Sequence, residues 1–140
     1  MFKYIKFVAV LICLAGCSKA NNEPVLISFS KDSSQIYISK INEVGLYQIK
    51  KNIGVDSAYQ SLVSVLQTPA ENDSTTMEKE INGRLGMLGD ILVFTPDTSF
   101  IKGKTYLIET VINIEFASTK DILTSKVGHK LKKQQAFLKR

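Results

Sequence analysis

The sequence predicts an all-β domain, and three observations carry that expectation. Residues 105–116 alternate strictly: Tyr106, Ile108, Thr110, Ile112, Ile114 and Phe116 share one face, and Leu107, Glu109, Val111, Asn113 and Glu115 share the other. Such a period of two, rich in β-branched residues, marks a half-buried strand. Shorter apolar runs recur along the chain between polar turn signals, the pattern of a two-layer or barrel β-domain. Finally, 140 residues at 44% hydrophobic and 22% charged suit one domain with a real core. That composition excludes a disordered polymer, a collagen or a multi-span membrane protein.

The chain opens on a different kind of segment. Lys3 and Lys6 precede an apolar run, Phe7 to Leu14, and the small residues Ala15 and Gly16 follow it. A basic start, a short apolar stretch and small residues read as a secretory signal. The run is too short to span a bilayer, which takes about 20 apolar residues. Leu14-Ala15-Gly16-Cys17 resembles the lipobox of bacterial lipoproteins. That resemblance implies cleavage before Cys17 and lipidation of its thiol. It also implies a membrane partner reached through Cys17, since two or more acyl chains anchor stably where one does not. Ser18 after the cysteine implies outer-membrane sorting, with the periplasmic face or the cell surface left open. Residues 1–16 are then the signal peptide and 17–24 a polar tether ending in Pro24. Cys13 leaves with the signal and Cys17 is taken by lipid, so neither a disulfide nor a free thiol remains.

Residues 25–117 are expected to form the domain. Val25, Ile27 and Phe29 line one side of a first strand, and Lys31 to Ser34 make a polar turn. Ile36 and Ile38 share a face of the next strand, and Gly45 to Lys50 reads as another after a break at Asn42-Glu43. Residues 57–67 fit either period. Tyr59, Leu62, Val63 and Leu66 have helical spacing with Asp56 or Ser57 as caps, whereas Val63 and Val65 suit a strand. Pro69 to Thr76 is a polar loop, and Ile91 to Phe94 is the expected neighbour of the long alternating strand.

The stretch Ile81-Asn82-Gly83, Asp90 to Pro96 and Phe100-Ile-Lys-Gly103-Lys-Thr-Tyr106 resembles the closing half of bacterial immunoglobulin-like domains. The resemblance implies an immunoglobulin-like β-sandwich. The spacing from Phe100 to Tyr106 further resembles a tyrosine corner, in which the phenol bonds backbone upstream. The chain has no tryptophan and no cysteine pair of the antibody kind.

Residues 118–140 are expected as a basic amphipathic helix or tail. Ile122, Leu123, Val127, Leu131 and Leu138 fall near one stripe, with Ser118, Thr119 or Asp121 as caps. This segment explains the net charge of +5. Residues 1–18 contribute two cations, 126–140 contribute six, and the acids outnumber the bases by three between them. The formal charge is therefore no sign of a nucleic-acid partner. Lys126, Lys130, Lys132 and Lys133 are candidate contacts to acidic lipid or to a partner, if the helix is not simply packed on the domain.

Reactive chemistry is sparse. His129 is the lone histidine, set among lysines in the tail, so Cys/His zinc sites are excluded, and it is an unpromising base for Ser-His-Asp or Cys-His machinery, which needs a histidine positioned by the core. No metal and no cofactor are expected, and Gly83, Gly86 and Gly89 lack the lysine and serine of a phosphate loop. Glu78 and Glu80 would share a face in a strand and could serve a glycosidase, although Glu78-Lys79-Glu80 is also an ordinary solvated pattern. Asp56-Ser57-Ala58 and Asp73-Ser74-Thr75 resemble the O-glycosylation motif of Bacteroidetes exported proteins, which makes Ser57 and Ser74 candidate glycan attachment points. The expected function is a non-enzymatic, lipid-anchored binding, scaffolding or adhesion module of the cell envelope with a protein or glycan partner. The alternatives are a small carbohydrate-active enzyme, or an inhibitor or immunity-type lipoprotein acting through the 69–76 loop.

Overall fold

The computed structural model describes residues 23–112 and 133–140. Among the described residues, eight strands form two four-stranded sheets, and every pairing is antiparallel. The first sheet holds β1 (Leu26–Phe29), β2 (Ile36–Ser39), β6 (Ile91–Pro96) and β5 (Gly83–Leu88), in that spatial order. The second holds β4 (Lys79–Glu80), β3 (Val63–Gln67), β7 (Thr105–Thr110) and β8 (Gln134–Lys139). One core lies between them. Ile27, Ile36, Ile38, Leu92 and Phe94 enter it from the first sheet, and Val63, Val65, Tyr106 and Ile108 from the second.

The class is mixed α/β with two open sheets, which corrects the expectation of an all-β immunoglobulin-like sandwich. The helix α1 (Glu43–Asn52) occupies the stretch expected as a strand over Gly45 to Lys50. Its cause is local. The Asn42 side chain accepts from the Gly45 N–H at 2.6 Å, which caps the first turn. Glu43 sits in the first turn and Lys50 and Lys51 in the last, as the helix dipole favours. Gly45 and Ile49 face the core one turn apart, while Tyr47 between them is 63% exposed. Residues 57–67 resolve into both readings. Asp56 caps a 3-10 turn, Ser57–Leu62, through a 2.9 Å bond from the Ala58 N–H, and β3 follows at once.

The expected C-terminal helix is corrected as well. Gln134 to Lys139 is strand β8, in register with β7 from Thr110↔Gln134 to Thr105↔Lys139. Gln134, Ala136 and Leu138 are half-buried while Gln135, Phe137 and Lys139 are exposed, a period of two rather than 3.6. Residues 113–132, with the rest of that expected helix, lie outside the described residues, as do the signal and lipobox within 1–22.

The resemblance to a tyrosine corner pointed to one bond that is present. The Tyr106 hydroxyl accepts from the Ile101 N–H at 2.7 Å. Residues 97–104 carry the chain from β6 in one sheet to β7 in the other, and the bond pins that crossover. Phe29, Phe100 and Tyr106 pack edge to face around it, with ring centroids 4.8–6.3 Å apart. Aromatic pairs prefer that geometry. Gly103 (φ +80°) completes the turn, and its N–H donates to the Arg140 carbonyl at 2.7 Å while the Arg140 N–H donates to Lys104. Two residues thus oppose one, a β-bulge that needs glycine in its first position. Gly83 is required for a different reason: a Cβ there would stand 2.5 Å from the Phe94 ring and from the Thr95 carbonyl oxygen.

The outer strands of the first sheet share one device. On β5, the Gln60 side chain accepts from the Leu85 N–H at 2.8 Å and donates to the Leu85 carbonyl at 3.3 Å. At the start of β1, the Gln134 side chain accepts from the Val25 N–H at 2.9 Å and donates to the Val25 carbonyl at 2.6 Å. In each case a carboxamide pairs with the backbone as another strand would. Unpaired edges invite pairing with other chains, and these contacts occupy part of each edge.

Candidate functional site

The concave feature of interest lies on the outer face of the second sheet. Thr68 to Glu71, leaving β3, form one wall, and Phe137 and Lys139 of β8 form the other. Gly103, Lys104 and Thr105 close the end, and the volume is about 490 Å³. The walls are positioned by backbone. Thr68 donates to the Thr105 carbonyl through both its N–H (3.0 Å) and its hydroxyl (3.1 Å), which holds the start of the loop against β7. The bulge at Gly103 sets Lys104 beside the end of β8. The groove offers two ammonium groups, Lys104 and Lys139, one carboxylate, Glu71, and the phenyl ring of Phe137, which is 66% exposed. That set suits a ligand with an anionic group beside an apolar one. The Thr68 hydroxyl is already engaged, and among the described residues no imidazole or thiol lines the groove.

The sequence-derived candidates fall elsewhere. Ser57 opens the 3-10 turn ahead of β3, and Ser74 lies in the loop beyond its other end, so a strand separates them. Both are exposed and both sit in the same local geometry. Each follows an aspartate whose Oδ1 accepts from the N–H two residues on, Ala58 for Asp56 and Thr75 for Asp73. The Asp73 carboxylate also receives the Thr76 hydroxyl, the Thr75 hydroxyl and the Thr76 N–H, which hold it well below the usual carboxylate range. Asp32 behaves alike. The Ser30 hydroxyl, then the Ser34 hydroxyl and N–H, lower its pKa to about 2. Asp32 is exposed and Asp73 half-buried, and their donors come from their own turns, so both are turn-formers.

Lys133 lies at the start of β8 with its Nζ 3.5 Å from Glu109 Oε2, and Gln135 Nε2 donates to the same carboxylate at 2.6 Å. Lys126, Lys130, Lys132, His129 and Cys17 lie outside the described residues. Glu80 sits in β4 opposite Leu66, whereas Glu78 precedes that two-residue strand, and both are exposed. Among the described residues no group of three or more His, Cys, Asp or Glu side chains could hold a metal ion. No helix among them is long and apolar enough to cross a membrane. The groove itself was missed from the sequence, because its walls come from segments more than 30 residues apart. The only local signal was Phe137, a lone aromatic in a lysine-rich stretch. Neither a family model, nor a curated protein, nor a solved structure matches this chain.

Proposed function

We propose that the protein is a lipid-anchored, non-enzymatic binding module of the bacterial envelope that presents its groove away from the membrane. One observation supports this orientation. The chain enters the described fold at Val25, and Gln134 holds Val25 at the beginning of β8. The groove lies at the other end of β8, beside Lys139, about 17 Å further along at the usual rise of a strand. A tether from Cys17 to Val25 reaches about 27 Å at most. An anchored domain would therefore stand close to the bilayer with its Val25 end inward and the groove outward.

Palmitate labelling and membrane fractionation of the full chain test the anchor. The wild-type protein should label and pellet with membranes, and Cys17→Ala should do neither. Labelling that survives Cys17→Ala overturns the proposal. Protease shaving of intact cells then tells the cell surface from the periplasmic face.

A further inference from the structure

The bond pattern of the second sheet reveals which side of β8 faces away from β7 and is unpaired among the described residues. Thr68 donates to the Thr105 carbonyl and Val111 to the Leu62 carbonyl, so odd-numbered residues of β7 bond towards β3. Arg140 donates to the Lys104 carbonyl, so even-numbered residues bond towards β8. In an antiparallel ladder these directions alternate strictly. Gln134, Ala136 and Leu138 therefore bond β7. Gln135, Phe137 and Lys139 turn their N–H and C=O groups to the outer edge, where no described backbone partner meets them. The other edges differ. Gln60 and Gln134 occupy the first sheet's outer strands at Leu85 and Val25, and β4 is only two residues long.

We propose that the outer edge of β8 accepts an extended acidic segment of a partner protein as a fifth strand of its sheet. Main-chain bonding to three residues supplies affinity in this mode, and side chains on alternate positions supply selectivity. The exposed ring of Phe137 offers the apolar contact. Charge determines the occupant. Lys139 and Arg140 lie on and just beyond the strand, and Lys102 and Lys104 lie in the turn next to its end. The nearby Glu109 is already engaged by Lys133 and Gln135. An acidic strand complements this edge, whereas a second copy of β8 would bring the same cations together. The inference deepens the binding-module reading and rests on it for the presence of a partner, but not on the anchor, which Cys17 tests separately.

The probe is a capped eight-residue peptide of alternating valine and glutamate, added to the full-length protein while amide exchange is followed by NMR. At about ten times its Kd, the peptide should slow exchange at Gln135, Phe137 and Lys139 by about tenfold. A valine–lysine peptide should leave these amides unchanged, and Lys139→Glu should weaken the glutamate peptide. Phe137→Pro is the backbone test. Its lost N–H points outward, so the fold should survive, as it does for proline on edge strands, while peptide protection disappears. The proposal is overturned if the three amides are already as protected as Ala136 without peptide, if they become protected with protein concentration alone, if both peptides act equally, or if Phe137→Pro unfolds the protein.

Discussion

Removing the glutamine that lines β5 tests whether a side chain can stand in for a neighbouring strand. Gln60→Ala deletes two bonds to Leu85, at 2.8 and 3.3 Å. A typical internal hydrogen bond contributes about 0.5–1.5 kcal/mol net, and a group left unsatisfied costs more. Leu85 is buried, but Gln60 is exposed, so water reaches part of what the side chain leaves. The expected loss is about 1–2 kcal/mol. For a domain of about 100 residues that corresponds to a fall in Tm of about 5–15 °C. Gln134→Ala removes the matching pair on Val25 and should cost a similar amount. The two sites lie on opposite edges of a four-stranded sheet, about 14 Å apart at ordinary strand spacing. The double variant should therefore lose the sum of the two to within about 0.5 kcal/mol. Gln60→Met separates packing from bonding, because it keeps the bulk and removes both polar atoms. Urea unfolding at constant m-value measures all four variants against the wild type. The reasoning fails if Gln60→Met is as stable as wild type, or if Gln60→Ala lowers Tm by less than about 2 °C.

Other perturbations test other parts of the fold. Gly83→Ala drives a methyl to 2.5 Å from both the Phe94 ring and the Thr95 carbonyl oxygen, and should cost about 1–3 kcal/mol by overpacking; thermal unfolding checks it, and an unchanged Tm refutes the packing. Tyr106→Phe leaves the Ile101 N–H without its acceptor and should lose about 1 kcal/mol while keeping the ring cluster, a difference visible as faster exchange at the Ile101 amide. The Asp32 carboxyl should titrate near 2, below its usual 3.8, and Ser30→Ala should raise it. Because the folded pKa is the lower one, the stability this group contributes is present above about 3.8 and lost as pH falls through about 2. Carbon-detected NMR titration gives the midpoint, and a value near 3.8 in the folded protein would contradict the three-donor turn.

Four of the eight described strands were legible because burial on one face writes a period of two into the residues. β1, β2, β6 and β7 lie where Ile27, Ile36, Ile38, Leu92 and Ile108 lead the eye, although β7 ends at Thr110, short of the run to Phe116 that the alternation predicts. The helix was not, and the reason is arithmetic. Gly45 and Ile49 are four residues apart, which puts them on one side of a helix and equally on one side of a strand. Only Tyr47 distinguishes the two, and an exposed tyrosine looks like a buried one in a sequence. β8 was obscured differently. Its inward face is Gln134, Ala136 and Leu138, and its outward face carries Phe137, so apolar content does not mark the inner side. The Tyr106 bond lies within the stretch that resembles immunoglobulin-like domains, but the sandwich that the resemblance implied is overturned, because fold class is decided by partners far along the chain. The groove shares that origin. It joins Thr68, Lys104 and Phe137, whose separation in sequence leaves no common motif.

The clasp between Gln134 and Val25 has a bearing on kinetics and force. It joins residues 109 apart in sequence, so it can close only when both sheets are largely assembled. A contact made that late barely affects the rate of folding, and losing it mainly speeds unfolding. It also guards the point at which any tension on the preceding chain enters the domain. A pull transmitted through Pro24 meets the Gln134 carboxamide before it can peel β1 from β2. That end of the domain is thus closed by a single side chain.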